Sequence, residues 1–378
     1  MVRPFGLIRP TPEFPRGRRD SFISGRRPSG PVAGKLPPDL LRELVLDRTG
    51  AGDPAVLVGP SIGEDAAVVD LGGGRVLVAH ADPITGAVEY IGRLAVHVVS
   101  NDVAARGVRP RWLLPVLQFP EGAGPDLIGG VTSQLDKAAR EVGAAIVGGH
   151  SEVTPGLART MISMTAIGIG ERGKYVTTSG ARAGDLVLMT KSAAIEGTAI
   201  LSTDFGGALL EAGVPRDVIE RGRGFMDMIS ILREGVALGE AGLATSMHDP
   251  TEGGLIGGLA EVAYASGSTL EVWEDEVPVA EETRIIAGAL GLDPLRLIGS
   301  GALIATVPRD RADGALGLLG GLGIGASVIG RVGEYSGHRL VVHRRGGAAE
   351  VVDDVYVGDE LNGVWERYGE RRPPGAVR

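Results

Sequence analysis

The sequence predicts an α/β protein of two domains, and three observations carry that reading. Apolar runs and helical patterns over residues 66–169 follow the order β-β-α-β-α-β-β, which alternates too often for an all-α or all-β fold. A stretch rich in Gly, Thr and Ser at 170–184 interrupts the pattern as a domain boundary does, and a second alternating unit runs from Asp185 to about Val332. The chain has 378 residues, 43% of them hydrophobic, enough for about two or three domains by length.

Residues 1–34 hold six prolines and seven arginines against two acids, a net +5, which leaves −14 on the remainder of a chain at −9. With no apolar face to bury, this basic leader is expected to be disordered. Arg18-Arg19 lacks the following apolar segment of a twin-arginine export signal. The first domain is placed at 35–170. Pro37, Pro38 and Asp39 open an amphipathic helix through Leu40, Leu41, Leu44 and Val45. Residues 66–70 and 75–80 read as strands around Gly72-Gly73-Gly74. A helix over 89–106 stops at Gly107 and Pro110, strand 112–119 follows, and helix 125–142 ends at Gly143. Residues 144–148 and 160–169 are the last strands of this unit. The second domain, 171–333, is assigned strands 185–190, 269–273 and 302–307 and helices near 195–203, 227–241 and 254–266. The charged extension 334–378 receives no elements.

Composition excludes several functions. Aromatics make up 4%, too few for base-stacking platforms, so no nucleic-acid partner is expected. The absence of cysteine removes disulfides, thiolate metal sites and a cysteine nucleophile. No apolar run approaches about 18 residues, so no membrane span is expected and a cytoplasmic location is.

Four polar clusters fall at element ends of the first domain, where ligands are usually met. They are Gly63-Glu64-Asp65, Ala81-Asp82-Pro83-Ile84-Thr85, Asn101-Asp102 and Gly148-Gly149-His150-Ser151-Glu152. Carboxylates converging from separate loops suit magnesium, which takes hard oxygen ligands and accompanies phosphates. Each Asp taken alone reads as well as a cap or turn residue, and Asn101-Asp102 sits oddly inside a helix pattern. In the second domain, Met247-His248-Asp249-Pro250-Thr251-Glu252-Gly253-Gly254-Leu255 precedes an apolar helix.

The order of these clusters, with Asn101–Pro110 as one motif and Asp249–Gly254 as another, resembles the aminoimidazole-ribonucleotide (AIR) synthetase-like superfamily over roughly residues 35–333. The resemblance implies a first-domain sheet that pairs with a second subunit's sheet in a homodimer, a layered α/β second domain, and ATP between them. By position it implies magnesium on Asp65, Asp82 and Asp102. It implies nucleotide contacts from Gly63, Glu64, Thr85, Asn101, Gly148, Gly149 and Ser151. Asp249, Gly253 and Gly254 would face phosphate or substrate at a helix start, where free N–H groups favour anions. The chain has no Walker lysine motif, so a phosphate site among these acids needs a metal.

Within the superfamily, the reactive cysteine of selenophosphate synthetase has no counterpart, and the thiamine-monophosphate kinase signature differs from Asp249–Gly254. The pattern is most similar to the hydrogenase expression/formation protein E branch, which uses ATP to dehydrate a carboxamide on a C-terminal cysteine and so supplies a cyanide ligand. This chain shows no such cysteine, has Glu152 where that branch has lysine, and has Ser300-Gly301 where it has Glu-Gly. The expectation is an ATP- and magnesium-dependent enzyme with an altered small-molecule or protein-bound acceptor. Glu152, His150 and Asp249 are the candidate catalytic residues, His248 a second candidate proton carrier, and Lys191 a candidate phosphate contact. A thiamine-monophosphate kinase-like enzyme and a non-catalytic ATP-binding dimeric scaffold stand as alternatives.

Overall fold

The computed structural model describes residues 34–368; the basic leader up to residue 33 and the stretch 369–378 lie outside them. The first half comprises α1 (Pro38–Leu41), β1 (Val56–Val58), β2 (Ala67–Gly72), β3 (Arg75–Ile84), α2 (Ile91–Ala105), β4 (Pro110–Phe119), α3 (Pro125–Val142), β5 (Ala145–Ile146), β6 (His150–Val153) and β7 (Met161–Glu171). Its sheet runs β1-β2-β3-β7-β4-β5, with β6 also paired to β4. The long strands β3 and β7 are antiparallel from Arg75↔Glu171 to Ile84↔Ile162, whereas β4 takes β5 and β6 in parallel. Alternation along β7 sends Ile162, Met164 and Ala166 to the core.

Helix α2 is buried along almost its whole length, because it packs on β3 and β7 on one side and on α3 and a second-half helix on others. That explains the oddity of Asn101-Asp102. In a helix covered all round, polar residues face a neighbouring element instead of water. Helix α3 is the ordinary amphipathic kind. Val131, Leu135, Ala138 and Val142 form its buried stripe, Pro125 sits in its first turn, and Gly143 closes it in the left-handed conformation.

The second half comprises β8 (Leu186–Thr190), α4 (Ile195–Asp204), α5 (Gly206–Glu211), α6 (Arg216–Arg223), α7 (Leu232–Glu240), β9 (Ser246–His248), α8 (Gly254–Ser266), β10 (Thr269–Trp273), α9 (Glu281–Leu290), β11 (Ile304–Val307), α10 (Ala312–Gly321), β12 (Ala326–Gly333), β13 (Leu340–His343), β14 (Ala349–Val352) and α11 (Glu360–Tyr368). Its sheet runs β14-β13-β10-β12-β8-β11-β9. Successive residues of β8 serve two cores. Leu188 joins the cluster containing α4, α6 and α7, while Val187 and Met189 join the one built on α8. Burial on both faces is why β8 reads as a continuous apolar run.

Several expectations change. The first helix is only four residues followed by a π-helical turn at Arg42–Leu46, and Leu44 and Val45 are exposed, so its apolar residues do not form a core stripe. The helix expected at 227–241 is a 3-10 turn at Gly224–Met228 followed by α7. The extension after 333 is structured: β13 and β14 lengthen the second sheet, and α11 buries Leu361 and Val364. Trp365 of α11 donates to Gly86 O (3.0 Å) and meets Phe205 edge-on.

Helix α7 crosses the end of α2 so closely that a Cβ on Gly235 would lie 2.5 Å from Ala104 O, and one on Gly239 would lie 2.5 Å from Gly107 Cα. Gly235→Ala gains up to about 1 kcal/mol of helix propensity but forces apart two packed backbones, so a net loss of about 1–3 kcal/mol is expected. Gly288→Ala, on the open face of α9 with nothing within 4 Å, should instead stabilise by about 0.5–1 kcal/mol. Urea midpoints of the two variants check the pair.

Candidate active site

Three acids meet from three elements. Asp65 stands at the turn entering β2, Asp102 projects from the buried helix α2, and Asp249 follows directly on β9. One carboxylate oxygen of each lies within 4.8 Å of the others, and all three side chains are buried. Both oxygens of Asp249, and Oδ2 of Asp65 and of Asp102, lack a hydrogen-bond partner. Burial, then the Asp65 charge, pushes Asp249 up to about 8. Burial and the neighbouring Asp249, Asp82 and Asp65 raise Asp102 well above the carboxylate range. Unpaired, mutually repelling carboxylates in a desolvated space are what a hard divalent cation neutralises, so the donor set fits magnesium.

Around them runs a chain of opposite charges. Arg106, fully buried, pairs with Glu64 at 2.7 Å and lies 3.9 Å from Asp65. It also donates to Val176 O and Thr178 Oγ1, while Glu64 accepts from the Thr178 and Ser179 N–H groups. His248 is held on both sides: Nδ1 meets Asp65, and Nε2 lies 2.9 Å from Glu261 of α8. Burial alone would strip its proton, but Asp65 and Glu261 outweigh that and push it up to about 10. Glu261 also binds Lys35 Nζ at 2.9 Å; against the cost of burial, Lys35 and His248 hold it down to about 2. Lys35 in turn binds Glu252 through its N–H, and the charges of Glu261, Glu252 and Asp82 raise its pKa although burial opposes them.

The structure redistributes the expected roles. Asp249, expected to be catalytic, belongs to the three-carboxylate cluster. Asp82, expected among the metal ligands, stands beside that cluster: burial raises it to about 6 while Lys35 pulls it down. Asn101 is wholly buried and spends its amide on Ile229 O and Ile231 N–H, 2.9 Å each, so it ties α2 to the second half and offers no open face to a nucleotide. Glu64 is committed to Arg106 and the 178–180 turn. Gly63 lies against the backbone of Glu261, while Thr85 is exposed just past the end of β3.

Gly148, Gly149, His150, Ser151 and Glu152 are exposed on the β5–β6 side of the first sheet. His150 and Glu152 partner each other at 3.2 Å, Thr154 donates to Glu152, and these hydrogen bonds keep the Glu152 pKa low. Their partners are one another, not the buried acids. Lys191 is engaged with Met228 O, Ser230 O and Glu234, so it is no free phosphate contact. Gly253 and Gly254 both have positive φ, 81° and 61°, and Gly253 N–H donates to Asp359 at 2.7 Å. The start of α8 therefore holds an anion, a carboxylate of this chain's own later segment.

Sequence reasoning missed Arg106, Lys35, Glu261 and Asp359. A signal existed for one of them: Glu261 is the sole charged residue of the otherwise apolar and small α8. Arg106 could be seen only as part of a motif, because nothing in its neighbours tells a buried arginine from an exposed one.

Fold and site together define a two-domain α/β protein whose acids from both halves converge on one buried position. The family model for the AIR synthase related protein N-terminal domain matches residues 63–170, and that for the C-terminal domain matches residues 182–343. The chain belongs to the AIR synthase related family. It is 28% identical to a hydrogenase expression/formation protein of Methanocaldococcus jannaschii, over 87% of this chain and 96% of that one. It is 29% identical to the carbamoyl dehydratase HypE of Rhodobacter capsulatus, over 87% and 94%. Among solved structures it resembles a hydrogenase maturation protein HypE in complex with ATP, with 30% identity, a TM-score of 0.65 and coverage of 85% and 95%.

The charge chain predicts how stability depends on pH in chelator-containing buffer. Folded His248 keeps its proton to about pH 10, whereas an unfolded histidine loses it near 6.5. Its contribution is therefore complete below pH 6.5 and lost as pH rises toward 10, at up to about 1.4 kcal/mol per pH unit. Asp249 acts in the same direction up to about pH 8, since its folded form is the one that holds the proton. Urea unfolding between pH 6 and 9.5 should show a falling midpoint, with a flatter curve for His248→Gln.

Proposed function

We propose that the protein is an ATP- and magnesium-dependent enzyme that phosphorylates or dehydrates a small amide, carbonyl or alcohol acceptor. The observation that carries this reading is the convergence of Asp65, Asp102 and Asp249, buried, within 4.8 Å and short of partners. Asp65, Asp102 and Asp249 would hold magnesium, with Asp82 beside them. A bound magnesium ion supplies the charge that lets a triphosphate approach these acids. Lys35 is a half-exposed cation beside these acids, bound to Glu261 and close to Glu252 and Asp82.

Hydrogenase maturation by carbamoyl dehydration is the second reading, supported by the relatives named above and by the ATP-bound relative. Glu152 and Ser300, which differ from the pattern of that branch, favour a changed acceptor. Incubation with the carbamoyl-transferring maturation partner, carbamoyl phosphate and ATP separates the two. A carbamoyl- or thiocyanate-sized mass on the protein establishes maturation, and phosphate release without such an adduct supports the changed acceptor.

The protein is further proposed to act as a homodimer through the β4–β6 side of the first sheet. Both residues of β5 and all four of β6 are exposed, and Val116, Ile146, Val147 and Val153 leave apolar surface there. An uncovered edge with such side chains is a pairing surface. Light scattering should show a dimer for the wild type and a monomer for Val147→Lys/Val153→Asp.

The magnesium–ATP complex, added at about a hundredfold above its dissociation constant, should stabilise the fold by roughly 2.7 kcal/mol and raise the melting temperature by about 4 °C. Asp102→Asn should abolish most of that shift. Without ligand the same variant should melt no lower than wild type, since it relieves like-charge repulsion. An equal shift with ATP and EDTA would sink the metal-dependent reading.

A further inference from the structure

Strand β3 alternates, and its inward residues are Val76, Val78, His80, Asp82 and Ile84. Val76, Val78 and Ile84 are buried in the core that also holds α2. Two polar side chains therefore interrupt an apolar stripe, and the interruption falls where α2 brings in Asp102. Packing alone would be served by another Val or Ile at position 80.

His80 Nε2 lies 3.7 Å from Asp102 Oδ2. A direct hydrogen bond would draw the two atoms to about 2.7–3.2 Å. Asp102 Oδ2 is buried and has no hydrogen-bond partner, so the carboxylate does not spend that oxygen on the ring or on anything else in the protein. The His80 side chain is 27% exposed, which puts the imidazole at the rim of the buried cluster. Octahedral ions with bonds of about 2.1 Å hold their donors between about 3.0 Å apart for neighbours and about 4.2 Å for opposites. A separation of 3.7 Å suits two donors that share one ion and do not bond to each other.

No other described imidazole is placed to do this. His248 stands at the cluster, but Asp65 takes Nδ1 and Glu261 takes Nε2. His97, His150 and His338 pair with Glu141, Glu152 and Asp353, none of them in the cluster, and His343 stacks on Trp273. Arg106 and Lys35 bring positive charge to the acids and no donor for a metal.

We propose that His80 Nε2 is a ligand of the cation held by Asp65, Asp102 and Asp249, and that this nitrogen makes the site prefer manganese to magnesium. The proposal rests on the cation-binding reading of the three acids and deepens it. Magnesium takes oxygen donors almost exclusively. Manganese shares its octahedral geometry and its taste for carboxylates, yet lies on the transition-metal side where imidazole binds well. One nitrogen among three carboxylates tilts the choice without excluding the weaker occupant. The ion takes the ring in its neutral form, releasing any proton that the ring holds.

The test uses the full chain, freed of metal by chelator, with manganese or magnesium alone, so that no adenine nitrogen is present. Calorimetry gives the Kd of each ion, and pulsed electron paramagnetic resonance of bound manganese reads nitrogen hyperfine coupling. The wild type should bind one manganese with imidazole coupling, at least about 30-fold tighter than magnesium. His80→Gln should remove the coupling and weaken manganese at least about tenfold, while magnesium stays within about threefold. His80→Asp, which returns an oxygen donor, should bind magnesium at least as tightly as the wild type and show no coupling. An ion bound to that variant separates loss of a nitrogen from loss of fold. Asp102→Asn should lose tight binding and coupling together, because the two groups share the ion.

Manganese bound stoichiometrically to the wild type without nitrogen coupling overturns the assignment. So does coupling that survives His80→Gln, or a manganese-to-magnesium preference unchanged within about threefold in that variant. Each of these leaves the three-acid cation site standing. A wild type that binds neither ion with a Kd below about 1 mM strikes the site itself, and His80 as its ligand with it.

Discussion

Arg106 is the residue around which the two halves of the molecule are charged and joined. It has no exposed surface, and its guanidinium reaches Glu64 and Asp65 between β1 and β2 and Val176 and Thr178 in the link to the second half. A guanidinium out of water requires its acids, and those acids would be costly without it. Glu64 then fixes the turn at 178–180, and Asp65 orients His248, which holds Glu261. Each charge in the series is compensated by the next. Asp102 and Asp249 stand outside that compensation, and burial beside like charges pushes both above the usual carboxylate range. The site is thus the remainder of a balance struck mostly for structural reasons.

Much of the fold could be read along the chain, and the reasons for success and failure are physical. Strands β2, β3, β4 and β7 and helix α3 announce themselves because one face is buried and the other is not, so composition alternates with the right period. Helix α2 was placed by its glycine and proline stops, but its polar residues looked misplaced until a second layer covered it. Helices α5, α6, α9 and α10 escaped notice because they are short, glycine-rich or packed through a few residues. The strands after residue 333 carry no clear alternation; β13 is held by pairing with β10, and β14 by pairing with β13.

The candidate site was legible in kind more than in membership. Motif order brought forward Asp65, Asp102 and Asp249, because those acids sit beside glycines and strand ends in a recognisable series. It could not show which acids meet: Asp82 and Asp102 look alike in sequence, and only packing shows that Asp249 joins Asp65 and Asp102. His150 and Glu152 looked catalytic on local chemistry, yet they lie on an open sheet edge. Long-range partners such as Lys35 with Glu261, or Asp65 with His248, are invisible without the fold, since nothing local records a contact across a hundred residues or more.

The strand order of the second sheet bears on how the chain is made. Every strand of the first sheet has been synthesised once Glu171 is added, so that half can pair its strands early. Strand β8, complete at Thr190, waits for β11 at Ile304–Val307 and β12 at Ala326–Gly333 before either of its edges is covered. Through more than a hundred residues of synthesis a largely apolar strand therefore stands unpaired. Non-local pairing of this kind is slow and exposes surface to neighbouring nascent chains. The helices α4–α7, which emerge directly after β8 and bury its Leu188 face, are positioned to shield it during that interval. The long α-helical insertion between adjacent strands thus has a use in synthesis as well as in the finished core.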